Sequence, residues 1–179
     1  MKKRTVTKAA ALLVSAGMLV SLAACEGQVP QATSSQSSEQ SSPDLTTTQE
    51  QAIRNKILDA IDAADAAQSA DGLSERVTGP QLDIRSSELT IAKATGSMPA
   101  KATIPRKITQ TVIPVNDGWP RTVFTITTTT DDQQSKRLLV LTQDSARDNY
   151  KLWGVARLFQ GAKLPKFEVP KLGSGMGTA

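Results

Sequence analysis

Apolar residues between positions 50 and 67 recur every three or four residues, which predicts an amphipathic helix. The positions that form its apolar face are Ile53, Ile57, Ala60, Ile61, Ala64 and Ala67. The segment Thr47-Thr48-Gln49-Glu50 has the S/T-x-x-E form of a capping box and is predicted to start this helix. Gly72 suits the position that follows the end of a helix.

A second helix is predicted to begin at Gly79-Pro80, because proline is favoured at the first helical position, and to end before Gly96. The apolar residues that would line it are Leu82, Leu89 and Ala92. The positions of Ile84 and Ile91 also allow a strand, so both interpretations stay open here.

After Lys101 the apolar period changes to two and β-branched residues dominate, which predicts strands. Four strands are predicted, over residues 107–115, 121–130, 136–142 and 150–159. Pro114 cannot donate a ladder hydrogen bond, so the first strand is expected at a sheet edge. Two helices followed by a four-stranded antiparallel meander predict an α+β fold with the helices on one sheet face.

Two predicted strands are apolar on both faces, whereas a strand with one solvated face should alternate apolar and polar residues. One contains Leu138-Leu139-Val140-Leu141; the other places Trp153, Val155 and Phe159 on one face and Leu152, Ala156 and Leu158 on the opposite face. We therefore expect something besides the helices to cover the second face. The candidates are a second copy of the domain in the same chain, an adjoining domain, a homodimer partner, or the C-terminal segment folding back.

The threonines in the second predicted strand fit an exposed face and β-propensity better than a binding motif. They are Thr125 and Thr127 to Thr130.

The first 24 residues have the layout of an export signal. A basic segment at residues 2–8 precedes a mostly apolar stretch from Ala9 to Ala24. As a helix this stretch would be about 24 Å long, short of the ~30 Å hydrocarbon core of a bilayer, which favours a signal peptide over a permanent span.

The apolar stretch ends in Leu22-Ala23-Ala24-Cys25, which resembles the lipobox of bacterial lipoproteins. In that motif the cysteine thiol is diacylglycerated, and cleavage then leaves the cysteine as the first residue. We expect Cys25 to anchor the chain to membrane lipid on the extracytoplasmic face of the cell membrane. The alternative is an ordinary secretory signal that contains a cysteine.

Four parts follow along the chain: a signal peptide at 1–24, a tether at 25–46, a domain at 47–165 and a tail at 166–179. The tether is rich in Ser and Gln and too poor in apolar residues to fold, so it is predicted to be disordered. The tail ends in Gly-Ser-Gly-Met-Gly-Thr-Ala, which is typical of a linker and could lead to a second domain.

Charge and composition exclude several classes of function. Four of the 21 basic residues lie in the first eight positions, which leaves 17 basic and 17 acidic residues in the rest of the chain and gives no support to nucleic-acid binding. The absence of histidine excludes histidine-based catalysis and histidine metal sites, and a single cysteine excludes an internal disulfide. No cofactor is expected.

The two parts of the mature chain have opposite charge. Residues 26–100 carry 5 basic and 11 acidic groups, while residues 101–179 carry 12 and 6. The basic part could attract acidic polymers of the cell wall, but we expect the two parts chiefly to attract each other.

Asp59, Asp62 and Asp65 repeat every three residues on the first predicted helix. They could bind a cation, but Ca²⁺ usually takes six to eight oxygen ligands, many of them from a loop. We therefore predict a solvated acidic face and no metal site.

Four residues are candidates for ligand binding: Trp119, Arg121, Trp153 and Arg157. An exposed tryptophan can stack on a sugar and an arginine can bind a carboxylate. The alternative is structural, with Trp119 holding a hairpin to the core, Arg121 paired with an acid such as Glu88, and Arg157 partly buried and paired. No catalytic residue is predicted, because no serine has a base at diagnostic spacing.

Several segments together resemble a family of uncharacterised actinobacterial envelope lipoproteins, in which two similar domains often follow each other. They are Arg76-Val77-Thr78-Gly79-Pro80 before a helix with Arg85 and Glu88, Gly118-Trp119-Pro120-Arg121, and Leu152-Trp153-Gly154-Val155-Ala156-Arg157-Leu158 before Leu164-Pro165. The resemblance covers about residues 50–165. It implies a cone-like fold of helices on a curved sheet, of the nuclear-transport-factor or cystatin kind, with no assigned activity. The family often has tryptophan where this chain has Val155.

These observations predict a membrane-anchored extracytoplasmic lipoprotein with a non-enzymatic domain for interaction or ligand binding. One alternative is a histidine-independent envelope hydrolase, since glycosidases can act with two carboxylates alone. The other is a purely structural or assembly domain.

Overall fold

The computed structural model describes residues 42–129, 135–159, 161–162 and 167–175, and every structural statement below concerns these residues. The predicted signal peptide, Cys25 and most of the tether lie outside them. None of the helices in this part of the chain combines the length and the apolar character needed to cross a membrane.

Two helices come first, α1 (Thr47–Ala67) and α2 (Gly79–Thr95). The predicted limits of α2 are confirmed, because Gly79 is its first residue and Gly96 caps its end. The strand alternative for α2 is wrong, and the isoleucines that suggested it point to solvent from the helix.

The predicted capping box of α1 is wrong by one residue, and its predicted end, just before Gly72, is wrong by a few residues. The capping box uses Thr46 and Gln49, since the Thr46 hydroxyl accepts from the Gln49 backbone N–H at 3.2 Å and Gln49 Oε1 accepts from the Thr46 backbone N–H at 2.8 Å. The helix ends at Ala67, and the residue that follows it, Gln68, adopts a left-handed conformation. Gly72 instead precedes a 3₁₀ turn, Leu73–Glu75.

Four strands form an antiparallel sheet in the order β1-β3-β4-β5. They are β1 (Ile108–Val112), β3 (Arg121–Thr127), β4 (Arg137–Gln143) and β5 (Lys151–Arg157). The predicted α+β fold, with a meander and the first strand at an edge, is therefore confirmed. The cone-like curvature implied by the resemblance stays a prediction.

A second, two-stranded sheet pairs β2 (Pro114–Val115) in parallel with β6 (Ser174–Gly175). The predicted strand 107–115 is thus broken at Ile113, which is fully buried and whose carbonyl accepts from the Ser174 backbone N–H at 2.9 Å. Residues as far as Gly175 accordingly pack with the domain, beyond the predicted boundary at 165.

The helices cover one face of the sheet and form a continuous apolar core with it. The buried residues of this core include Ile57, Leu58, Ile61, Leu73, Leu89, Val123, Leu139, Leu141 and Leu152. A bulge in the pairing of β4 with β5 lets Leu152 pair with Leu141 and Val155 with Leu139. Leu152 and Val155 therefore share the helix-facing side, which the strict alternation predicted from the sequence does not give.

The opposite face of the sheet is apolar, as predicted. Phe124 pairs with Val140, and Ile126 pairs with Leu138. Ile126 is buried and the other three side chains are half-buried. The prediction of exposed threonines is wrong at Thr125 and Thr127, which are fully buried on the helix side, and is confirmed at Thr129.

Candidate functional site

A groove of about 650 Å³ lies between the first half of α1, the edge strand β1 and the C-terminal segment 167–170. Its size falls within the range of small-molecule sites in proteins. Its lining combines charged side chains with apolar ones. The charged residues are Glu50, Arg54, Arg106, Lys107 and Glu168, and the apolar ones include Ile108, Phe167 and Val169.

A buried ion pair supports the helical wall of this groove. Glu50 is 2% exposed, and its carboxylate accepts from Arg54 Nε at 2.8 Å and from the Thr125 hydroxyl at 2.9 Å. Arg54 also donates to the backbone carbonyl of Arg106 at 3.2 Å, which ties α1 to the segment before β1. Since these partners use the carboxylate of Glu50, its arrangement favours a structural role over general acid–base catalysis.

An unpartnered hydroxyl lies in the sheet wall of the groove. Thr111 is buried and neighbours Thr125 on the adjacent strand, but its Oγ1 has no hydrogen-bond partner. A buried polar group without a partner is uncommon in folded proteins and costs free energy. Thr111 is therefore a group that a bound ligand could satisfy.

Arg106, at the rim of the groove, forms ion pairs with two of the three repeating aspartates. Its guanidinium donates to Asp59 at 2.8 Å and also to Asp62. These two hydrogen bonds, that of Asp62 first, raise the pKa of Arg106. The acidic face is therefore paired with an arginine of the basic part of the chain, which agrees with the expected attraction between the two parts.

The third aspartate, Asp65, pairs with Arg85 of α2 at 2.5 Å. Burial raises the pKa of Asp65, and the adjacent Arg85 guanidinium opposes that effect. In the described part of the chain no cluster of acidic, histidine or cysteine side chains has the arrangement of a metal site.

Trp119 and Arg121, two of the predicted ligand-binding residues, pack on each other at the start of β3. The Arg121 guanidinium carbon lies 4.5 Å from the centre of the Trp119 ring, so a cation–π contact occupies one face of the indole. The predicted pairing of Arg121 with Glu88 is wrong, because Arg121 Nε lies 3.7 Å from Asp44 and Glu88 binds Arg85 instead.

Asp44 connects the segment before α1 to the turn before β3 by hydrogen bonds. Its side chain is 1% exposed and accepts from the backbone N–H and the side-chain amide of Asn116 at 3.1 and 2.8 Å. The Tyr150 hydroxyl nearby is buried without a hydrogen-bond partner. Burial, with a smaller contribution from Asp44, raises the pKa of Tyr150 to about 12, and Arg121 opposes this effect.

Trp153 and Arg157, the other two predicted residues, lie on β5. The Trp153 ring packs on the start of α2, where a β-carbon on Gly79 would come within 2.7 Å of it. Arg157 is exposed rather than partly buried, and it pairs in register with Arg137. Arg121 pairs with Gln143 at the other end of β4, about 20 Å away, so the structure does not bring the four residues into one site.

A comparison with models of protein families gives a match. A family model described as a domain of unknown function, DUF8094, matches residues 41–174. The chain belongs to this family. No curated protein and no solved structure matches it.

The match shows that the DUF8094 domain includes the C-terminal segment, because it extends from before α1 into β6. The groove is built entirely from residues within this domain. Sequence reasoning did not identify Glu50, Arg54 or Thr111 as site residues. The available signal was a glutamate and an arginine four positions apart beside the apolar positions of α1, a spacing that places both on one side of the helix.

Proposed function

We propose that this chain is a membrane-anchored extracytoplasmic lipoprotein whose DUF8094 domain binds a ligand in the groove and does not catalyse a reaction. The anchoring part rests on the lipobox-like Leu22-Ala23-Ala24-Cys25, the apolar stretch before it and the polar segment after it. These features would place the folded domain outside the cell membrane, attached through acyl chains on Cys25.

The groove, with the buried and unpartnered Thr111 hydroxyl in its wall, is the observation that carries the binding part. A ligand able to donate or accept a hydrogen bond there would remove an energetic cost that the free domain bears. Charged side chains together with the apolar Ile108, Phe167 and Val169 in its lining suit a ligand with both polar and apolar surface.

The finer family assignment and the partner also belong to this proposal. The segments around Trp119 and Trp153 support a relation to actinobacterial envelope lipoproteins with tandem, cone-shaped domains. The apolar pairs Phe124–Val140 and Ile126–Leu138 support a second copy of the domain as the cover of the outer sheet face.

Anchoring is tested by expressing the full chain in a bacterial host and comparing wild type with Cys25→Ala and with Ser21→Ala. We expect wild type and Ser21→Ala to reach the membrane fraction with the added mass of acyl chains. Cys25→Ala should lack that mass and keep residues 1–24, because cleavage follows diacylglyceration of the thiol. Wild type without acyl mass, or Cys25→Ala with the same acyl mass as wild type, would contradict lipidation.

The groove is tested by screening a mixture of small polar and aromatic fragments with ligand-observed NMR. Ile108→Trp places a bulky side chain in the groove, while Ile91→Trp makes the same change on the exposed side of α2. We expect fragments that bind wild type and Ile91→Trp but not Ile108→Trp. The binding proposal fails if no fragment binds wild type, or if both variants bind the same fragments as wild type.

A further inference from the structure

The edge strand β1 forms one side of the groove. It pairs with β3 on one side, and no described strand pairs with it on the other. Four of its five residues, 108–111, line the groove. The free edge of a strand presents backbone N–H and C=O groups without ladder partners, and such an edge is a template for pairing with another strand. The groove therefore contains a row of backbone groups as well as side chains.

The backbone of Thr111 points into the groove. The carbonyl of Ile113 points away from β3, because it accepts from the Ser174 backbone N–H. Successive residues of an antiparallel strand direct their backbone groups to opposite sides. Thr111, two positions before Ile113, therefore directs its N–H and C=O to the same side as Ile113. It thus brings two backbone groups to the groove in addition to its unpartnered hydroxyl.

The C-terminal segment already adds one strand to this edge. Just beyond β1, the edge is covered where β6 pairs with β2. Residues 167–170 form another wall of the groove, but in the described part of the chain they make no backbone hydrogen bond with β1. The edge is therefore covered at Pro114–Val115 and open along the groove, so a strand placed in the groove would continue along the same edge as β6.

Exposed apolar side chains lie beside the open edge. Ile108, Phe167 and Val169 line the groove and are among the exposed large apolar residues of the domain. In a strand every second side chain points to the same face. A strand paired with β1 would place alternate side chains on the face where the groove lies, and apolar side chains there would remove apolar surface of these three residues from water.

We propose that the groove binds an extended peptide of a partner protein, which pairs with β1 as an added strand. The inference rests on the proposed function, because it names the class of ligand for the same groove. In this mode of recognition, main-chain hydrogen bonds supply affinity and alternate side chains supply specificity. Since β1 has five residues and a strand rises about 3.3 Å per residue, the edge suits a peptide of about five residues with apolar side chains at alternate positions.

The composition of the tether favours a partner protein over the chain itself as the source of this peptide. Residues 26–41 contain only three apolar residues, Val29, Pro30 and Ala32. Val29 and Ala32 are three positions apart and would point to opposite faces of a strand. Pro30 between them cannot donate a ladder hydrogen bond. This part of the tether therefore lacks the alternating apolar pattern that the groove favours.

The test selects binders from a library of random seven-residue peptides displayed on phage, with the full chain as the target. The selected peptides are synthesised, and their dissociation constants are measured for wild type, Ile108→Trp and Ile91→Trp by fluorescence polarisation. We expect Ile108→Trp, in the groove, to weaken binding about tenfold or more, and Ile91→Trp, on the exposed side of α2, to leave it unchanged. Circular dichroism checks that both variants are folded.

Methylation of the peptide nitrogens tests strand pairing without changing the protein. Each amide nitrogen of a selected peptide is methylated in turn. We expect binding to weaken at every second position only, because alternate N–H groups of an added strand donate to β1. Hydrogen exchange of the Thr111 amide should also become slower when the peptide is bound.

The outcomes separate this inference from the proposed function. The inference is overturned if no library peptide binds wild type, if Ile108→Trp binds the peptides like wild type, or if methylation weakens binding without alternation. If fragments bind in the groove but no peptide does, the proposed function stands and the peptide inference fails. Tighter binding of a synthetic peptide of residues 26–41 than of any library peptide would overturn the partner and assign the edge to the tether.

Discussion

Tyr150 makes stability depend on pH in the alkaline range. Its raised native pKa of about 12 compares with about 10 in an unfolded chain. Below pH 10 the hydroxyl is protonated in both states, so its contribution to the free energy of unfolding is fully present and does not change with pH. Between pH 10 and 12 the unfolded state ionises first, and the contribution is lost as pH rises. The loss has an upper limit of about 2–3 kcal/mol.

Tyr150→Phe tests this effect at a single atom. Because the missing hydroxyl has no partner in the native state, we expect no loss of stability at pH 7 and a gain of up to about 1 kcal/mol. Urea unfolding at several pH values should show wild type losing stability relative to the variant between pH 10 and 12. A constant difference over that range would contradict the raised pKa.

Substitution of Glu50 tests how much the buried ion pair between Glu50 and Arg54 stabilises the domain. Glu50→Gln leaves the Arg54 guanidinium buried without its counter-charge, so we expect a loss of about 3 kcal/mol in the free energy of unfolding. The double variant Glu50→Gln/Arg54→Met should recover much of it, because no buried charge remains. Glu75→Gln, the same change at an exposed position, is the control. Equal stability of Glu50→Gln and Glu75→Gln would show that the pair does not support the groove.

At the start of α1, tertiary contacts decide which of two possible capping boxes forms. The run Thr46-Thr47-Thr48-Gln49-Glu50 allows two capping boxes, one residue apart, and local sequence does not separate them. Glu50 is drawn into the core by Arg54 and Thr125, so it cannot also cap the helix. Gln49 remains free to do so.

This competition gives a prediction for two adjacent threonines. Thr46→Ala should destabilise the domain by about 1 kcal/mol, because the Gln49 backbone N–H loses its acceptor. Thr47→Ala lies in the first turn of α1 and should change stability by a few tenths of a kcal/mol at most, since alanine suits a helix. Thermal unfolding measures both. A larger loss of stability in Thr47→Ala than in Thr46→Ala would show that the capping box begins at Thr47, as the sequence alone predicts.

At the scale of the whole molecule, the layers of the fold follow from the sequence but the sites do not. Period-three-to-four and period-two patterns are local, which is why α2 and the order of the strands could be predicted. The groove depends on Arg54 meeting Arg106 and on Thr111 lying beside Thr125, which are contacts distant in the chain. No local pattern encodes such contacts.

The C-terminal segment illustrates the same limit, and it carries the last prediction. Its glycine-rich composition is typical of a linker, yet β6 pairs with β2, and Phe167 to Pro170 form a wall of the groove. This packing depends on Gly173, which has φ +71° and on which a β-carbon would lie 2.3 Å from Val115 Cγ2. Gly161 has φ +78° with open space around it, so the same substitution there brings the backbone strain without the clash.

We expect Gly161→Ala to cost about 1 kcal/mol from its left-handed backbone and Gly173→Ala to cost clearly more. Hydrogen exchange should then show faster exchange of the Ser174 amide, which the Ile113 carbonyl protects in the native state, in Gly173→Ala only. Loss of fragment binding in Gly173→Ala would show that the C-terminal segment shapes the groove as well as stabilising the fold. If both variants lose the same stability and keep the same protection at Ser174, the segment does not depend on close packing at Gly173, and the wall of the groove must be held by other contacts.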